Sequence, residues 1–246
     1  MTTLTATRPR TQTVGPGRPR HTGKRSMERS GREEILDQAG RLFVEQSYSG
    51  TSTREIADAC GIRQSSIYYH FHGKTDILIE LLEQSVRPTL DKVTQIEAQC
   101  PANTPAAALY LLALTDVRTL ATLPHNIGRL HRMPDVRNAD TYRVIEPTIH
   151  ELARAYARLG MAIASEEVAR TMTSDQLGAM LLQMVEVVTK TRADGGAVST
   201  TEAHAIAASC LRVCGVTQSR IAESAAIGAA LAPVLVDGAV SRAGTG

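Results

Sequence analysis

The chain has 246 residues, 43% of them hydrophobic, with two Phe, six Tyr and no Trp. A chain this long buries roughly 70–75% of its unfolded surface, so it needs no disulfide or metal for stability, and its core must come from Ala, Leu, Ile, Val and Met. The net charge of +2 hides an asymmetry: residues 1–32 carry eight Lys or Arg against one Glu, leaving −5 on the remainder, a distribution that suits a polyanionic partner at one end only.

Residues 1–26 are rich in Thr, Pro, Gly and Arg and have no hydrophobic period, which predicts a disordered basic arm. From there on the chain reads as helices, without strand-like alternation. A first helix begins near Gly31, where Ser30 and Glu33 have capping-box spacing. Ile35, Leu36, Ala39, Leu42 and Phe43 form its apolar stripe, and Tyr48, Ser49 and Gly50 end it. Ser52 and Glu55 repeat the capping box for a second helix, which buries Ile56, Ala57 and Cys60. Gly61 then stands where a helix end favours a left-handed residue. A short third helix covers about Gln64–Phe71. At about 100° per residue, Ile67 and Phe71 mark its core side, Ser65, Ser66 and Tyr69 its outward face, and Tyr68 and His70 its flanks. His72 and Gly73 break it, and a long fourth helix begins near Thr75.

Further on, Pro88 predicts a kink or break. Asn103-Thr104-Pro105 supplies a cap and a first-turn proline for a helix over Ala106–Thr122. Pro124 and Pro134 bracket a short segment. Helices are predicted from about Val136 to Leu159, with Pro147 as a kink point, and from about Ser165 to Arg192. Asp194-Gly195-Gly196 is a loop. Ser199 and Glu202 cap a helix to about Cys214, and a last one covers Val216–Leu231 before a disordered Gly-Ala-Ser tail, residues 233–246.

Two short helices joined by a tight turn on a supporting helix form a helix-turn-helix unit. On periodicity alone, the exposed Tyr69 between small Ser residues fits either a groove-reading face or an ordinary solvated helix. The stretch TSTREIADACGIRQSSIYYHFHGKTDIL, residues 51–78, closely resembles the DNA-binding signature of the TetR family, and the similarity extends over about Arg32–Leu82. The apolar positions, turn Gly61, Tyr68-Tyr69, His70, Phe71 and Lys74 all fall in place together. The rest of the chain is similar only in being helical and of suitable length.

The resemblance implies an all-α fold, with a helix-turn-helix domain at 27–75 and a helical bundle at 76–232 for ligand binding and dimerisation, assembled as a two-fold dimer. It implies a sequence-specific transcriptional regulator, a repressor released from a palindromic operator by a small-molecule effector. An architectural or constitutive DNA-binding protein is the alternative. Thr53 and Arg54 take the positions that hold phosphate and reach a base, and Gln64, Ser65 and Ser66 those of base contacts. Tyr68, Tyr69 and His70 take phosphate and groove contacts, and Lys74 a phosphate anchor at a helix N-terminus. In the arm, Gly17-Arg18-Pro19 resembles the centre of an AT-hook, with Pro16 where an Arg usually stands, and Arg18, Arg20, Lys24 and Arg25 are its candidate DNA contacts. Such an arm either enters a narrow minor groove or attracts DNA by charge alone.

The stripes Leu177, Leu181 and Val188, and Ala203, Ile206, Ala207, Cys210, Leu211 and Cys214, fit the helices that pair with their twins in this family; the alternative is monomer core. Tyr110, His125, His131 and Tyr142, with Met180 and Met184, are the candidates for a ligand cavity or for core filling. Cys210 and Cys214 lie four apart on one face, as buried packing or as a redox or soft-metal pair. Glu146 and His150 share that spacing, as an ion pair or a metal pair. The four cysteines form no C-x-x-C or zinc pattern, so no cofactor or metal is expected. No nucleophile–base–acid set or phosphate loop suggests an enzyme. The polar start lacks a signal peptide's apolar region, and Ala225–Val236 is shorter than the about 20 residues a bilayer requires. The expectation is a reduced, cytoplasmic protein with no membrane partner.

Overall fold

The computed structural model describes residues 30–101 and 104–237, with side chains through residue 232. Arg18, Arg20, Lys24 and Arg25, with the rest of the predicted arm, lie outside the described residues, as do residues 238–246 of the predicted tail. Among the described residues every regular element is a helix.

Local sequence accounts for the first three. The Ser30 hydroxyl accepts from the Glu33 amide while the Glu33 carboxylate accepts from the Ser30 amide, and this capping box starts α1 (Gly31–Gln46). The same reciprocal pair between Ser52 and Glu55 starts α2 (Thr53–Cys60). Gly61 ends α2 in the left-handed region, φ 64° and ψ 29°, where a Cβ would be strained. Then α3 (Gln64–His70) buries Ile67, and Phe71 follows it into the core.

The fourth helix, α4 (Lys74–Leu90), serves two cores. Its Ile77, Leu78, Leu81 and Leu82 pack with α1 to α3, whereas Val86 and Leu90 pack with the body. The head's core is completed by Ile127, Leu130, Val136 and Ile145, all far along the chain. The predicted boundary at residues 75/76 is therefore no boundary in packing.

The body follows as α5 (Val93–Gln99), α6 (Pro105–Thr122), a 3-10 segment (Pro124–Arg132), α7 (Pro134–Arg137), α8 (Tyr142–Met161), α9 (Glu166–Thr171), α10 (Ser174–Ala193), α11 (Thr200–Val213) and α12 (Gln218–Asp237). From Ala106 to Leu114 every residue of α6 is buried, so its neighbours α4, α8, α10, α11 and α12 enclose it. A helix apolar on all sides belongs in the middle. Inside it Asp116 is 2% exposed and accepts from Thr89 of α4 at 3.0 Å and from the Tyr156 hydroxyl of α8 at 2.9 Å.

Several predicted boundaries need correction. Pro88 does not break α4, which continues to Leu90; a proline this near a C-terminus forfeits only one hydrogen bond of the ladder. The helix predicted over Val136–Leu159 is interrupted at 138–141, not at Pro147, which lies in the second turn of a continuous α8. The helix predicted over Ser165–Arg192 breaks at Met172, because Thr173 and Gln176 form a further capping box that starts α10. The last helix runs to Asp237 and so occupies the first residues of the predicted tail.

The predicted dimer stripes are also reassigned. Leu177, Leu181, Val188, Ala203, Ala207, Cys210, Leu211 and Cys214 are all buried against the chain's own core. A helical stripe shows which face is apolar but not what that face meets, and here α6 and α8 take it. Only Ile206 of that set remains partly exposed. Cys210 and Cys214 are free thiols, and burial pushes them up to about 12 and about 11, as suits packing residues.

Helices α8 and α10 pack tightly at Gly178, where a Cβ would lie 2.5 Å from the Ala153 carbonyl oxygen and 2.7 Å from Ala157 Cβ. Gly178→Ala is expected to lower stability by about 1–3 kcal/mol; an unchanged urea midpoint would refute this packing. Burial pushes Asp116 up to about 7, opposed by its bonds from Tyr156 and Thr89 and reinforced by Glu186. Unfolded, the carboxyl titrates near 4. Between those values the folded chain binds the extra proton, so stability falls as pH rises from about 4 through about 7. The difference in unfolding free energy between wild type and Asp116→Asn should therefore move against wild type by a few kcal/mol, order of magnitude, between pH 4 and 8. A difference constant with pH would contradict it.

Candidate nucleic-acid interface and body cavity

The exposed side of α3 is the one its sequence predicts. Gln64 and Ser65 are exposed, Tyr68 is 53% and Tyr69 86% exposed, and Ser66 is half-buried, while Ile67 anchors the opposite side. Water gains nothing from two such phenol rings, whereas a groove of stacked bases and phosphates offers them contact and a hydrogen-bond partner. Thr53, at the start of α2, accepts from Gln64 Nε2 at 2.9 Å and meets the Tyr68 hydroxyl at 3.4 Å. This bond fixes the Gln64 side chain at the exposed face. Arg54 is exposed beside it. His70 turns the other way, ring to ring with Tyr69 at 5.0 Å and against the first residue of α1.

Lys74 has a different first task from the one predicted. Its ammonium donates to the carbonyls of Tyr48 at 2.7 Å and Thr51 at 2.8 Å and lies 4.3 Å over the Tyr48 ring. It braces the turn between α1 and α2, which leaves one N–H of three for a phosphate. Asp135, from α7, accepts from the amide and hydroxyl of Ser49 in that same turn, at 2.8 and 3.2 Å. The head is thus tied to the body at the turn behind its reading helix.

A cavity of about 350 Å³ lies in the body between α4, α6, α8, α10 and the 3-10 segment. Of the predicted ligand residues, His131 and Tyr142 line it, their rings 6.4 Å apart. Glu146 and His150, predicted as a pair, both stand at its exposed side. The other predicted ligand residues lie elsewhere. Tyr110 is buried under α11 and α12, its hydroxyl 2.6 Å from His204 Nδ1. His125 pairs with Asp37 of α1 at 3.1 Å. Met180 and Met184 lie on the outer surface of α10, in a shallow apolar groove with Val187, Ala205, Ile206 and Ser209.

Sequence reasoning passed over the cavity's polar lining: Asp116, Ser85, Arg132, Arg137, Gln183 and Glu186. Asp116 carried a readable signal, an acid in a run otherwise apolar on every side. The others are set by how distant helices meet. His131 Nε2 lies 2.6 Å from Ser85 Oγ, and burial pushes its imidazole down to about 4, so the ring is neutral at physiological pH. Arg132 donates to Gln183 at 3.1 Å and lies 3.9 Å from Glu186, and Gln183 in turn donates to Glu186 at 2.8 Å. Among the described residues no group of three His, Cys, Asp or Glu could hold a metal ion, and no single helix is long and apolar enough to cross a membrane.

Comparison with known proteins agrees with this geometry. Residues 35–81 match the family model described as bacterial regulatory proteins, tetR family. The HTH-type transcriptional regulator AcrR of Shigella flexneri is 38% identical over 81 residues, 33% of this chain and 36% of that protein. That match, about a third of the relative's length, lies at the level of one domain. The crystal structure of Mycobacterium smegmatis AmtR is 32% identical, with a TM-score of 0.71, over 87% of this chain and 97% of that one. AibR, solved with isovaleryl coenzyme A and operator DNA, shares the fold at 18% identity, with a TM-score of 0.57, over 73% of this chain and 95% of that one. With residues 35–81 matching the family model and 87% of the chain aligned to AmtR at 32% identity, the chain belongs to the TetR family of helix-turn-helix transcriptional regulators.

Proposed function

We propose that this regulator is a ligand-responsive repressor that binds a palindromic operator as a homodimer and leaves it when a small molecule fills the body cavity. The exposed face of α3, with Tyr69 86% exposed and Gln64 held by Thr53, carries the reading. Gln64 and Ser65 would meet base edges, and Thr53, Arg54, Tyr68 and Tyr69 phosphates and groove walls. A single seven-residue helix reads too few base pairs to be selective; two heads about 34–36 Å apart would read successive major grooves on one face of the duplex.

The partner copy would cover the groove of Met180, Met184, Val187, Ala205 and Ile206. There α10 and α11 leave large apolar side chains in water, Met180 at 39% and Val187 at 43% exposure. AibR was solved with both a small molecule and operator DNA, a precedent for two sites on this fold. In this chain the 3-10 segment joins the two. Its His131 and Arg132 line the cavity, while Ile127 packs in the head's core and His125 pairs with α1. A molecule that repositions this segment repositions α1 and with it the spacing of the heads. Near-complete release needs about 5.5 kcal/mol of preference between the two states.

The operator is found by selection from random duplexes. Against it, Gln64→Ala should weaken binding by about 1–3 kcal/mol per affected half-site and relax one base position, whereas Arg54→Ala should flatten the slope of log affinity against log salt by about 0.9 for each phosphate it no longer neutralises. Selection that yields no palindrome, or variants that bind like wild type at two salt concentrations, would refute the interface. Val187→Glu with Ile206→Glu should convert the dimer to a monomer in light scattering and abolish operator binding with the fold intact; a persistent dimer would place the interface elsewhere.

A further inference from the structure

The interior of the cavity has an unusual polar character: its deep groups accept hydrogen bonds and few donate. Asp116, on its floor, receives hydrogen bonds from Thr89 and Tyr156, yet among the described residues no Lys, Arg or His lies within ion-pair distance of it. Glu186, of the same sign, raises the Asp116 pKa further. His131 adds a further acceptor. With Ser85 Oγ donating its one hydrogen to the Leu82 carbonyl at 2.7 Å, we assign the Nε2–H tautomer to His131, whose ring then donates to Ser85. His131 Nδ1 is then a lone pair, buried and without a partner. The donors Arg132 and Arg137 belong to exposed residues at the rim. Apolar walls come from Val86, Leu120, Ile149, Leu152 and Leu182.

We propose that the cavity takes a small organic cation bearing N–H groups, an amine or amidinium, whose charged end is held by Asp116 and His131 Nδ1 and whose hydrocarbon part lies against the apolar walls. An isolated buried carboxylate is costly unless a cation or several donors meet it. An ammonium supplies both the charge and up to three donors, and so satisfies Asp116 and the orphaned imidazole nitrogen together. The Tyr142 ring lines the same space and already meets one cation, the Arg137 guanidinium 5.9 Å from its centroid. A carboxylate or phosphate ligand would instead sit beside Asp116, while the cationic donors Arg132 and Arg137 stand at the rim, Arg132 already beside Glu186. About 350 Å³ admits a molecule at the small end of the usual range for such sites. This deepens the proposed function and rests on its reading of the cavity as the effector site.

The test uses the full chain with n-butylamine, benzylamine and agmatine as probes, and benzyl alcohol and benzoate as neutral and anionic counterparts, in thermal melts and titration calorimetry. At least one amine should raise the melting temperature saturably with a Kd below about 1 mM, a tenfold or greater advantage over benzoate. Asp116→Asn, checked for folding by circular dichroism, should weaken that binding at least tenfold. Leu182→Trp, which fills the cavity and leaves the carboxylates intact, should abolish it and guards against a misfolded first variant. The assignment falls if no amine binds at 10 mM, if benzoate binds as well as the amines, or if either folded variant binds amine like wild type. A gel shift on the selected operator separates the two proposals. Amine binding without operator release keeps the ligand class and overturns release by ligand. Operator binding without amine binding overturns the ligand class and leaves the operator reading standing.

Discussion

The reading head cannot close its own core, and the rest of the molecule is arranged around that fact. Its helices α1 to α3 supply Ile35, Phe43, Ile56 and Ile67, but the seal comes from Ile127, Leu130 and Val136, far along the chain in the 3-10 segment and α7. Ile127 reaches so close that a Cβ on Gly40 of α1 would lie 3.0 Å from its methyl group. To present Ile127 there, the chain turns through His125 and Asn126, two successive non-glycine residues at φ 51° and 57°. Left-handed backbone at such residues is unfavourable, and each is tied down: His125 to Asp37 of α1, Asn126 to the Thr189 carbonyl of α10 at 2.7 Å. Arg192 of α10 secures the preceding turn by donating to the carbonyls of Leu120 and Leu123, both at 2.7 Å, at the negative end of α6.

That one segment makes the body a determinant of head position. Its His131 and Arg132 line the cavity while its Ile127 packs in the head's core, so the cavity wall and the head share one element. The second tie, Asp135 to Ser49, reaches the turn between α1 and α2 that Lys74 braces from within. Both the supporting helix of the head and the turn that follows it are therefore held by groups from beyond residue 120. The buried carboxylate Asp116 is the complementary feature. Burial raises its pKa, so its ionisation works against folding as pH rises towards neutrality, and groups with such shifted titration concentrate at functional sites.

The sequence by itself determined whatever is settled within a turn or two of helix. Serine followed three residues later by glutamate set the starts of α1, α2 and α11, Gly61 set the end of α2, and the 3.6-residue period separated Ile67 from Tyr69. Thr173 and Gln176 have the same capping-box spacing before α10, but the long apolar period hides it and the predicted helix runs through that break. Only the tertiary structure decided what each apolar face meets. Leu177 to Val188 and Ala203 to Cys214 read as a surface for a second copy and lie against α6 and α8 instead, because periodicity gives the direction of a stripe and nothing about its neighbour. Met180 and Met184 moved to the outer surface for the same reason, and Tyr110 and His125 found partners on distant helices. A cavity is the space left where several elements fail to touch, so its lining of Ser85, Asp116, His131, Gln183 and Glu186 exists only once long-range packing has brought residues from α4 to α10 together.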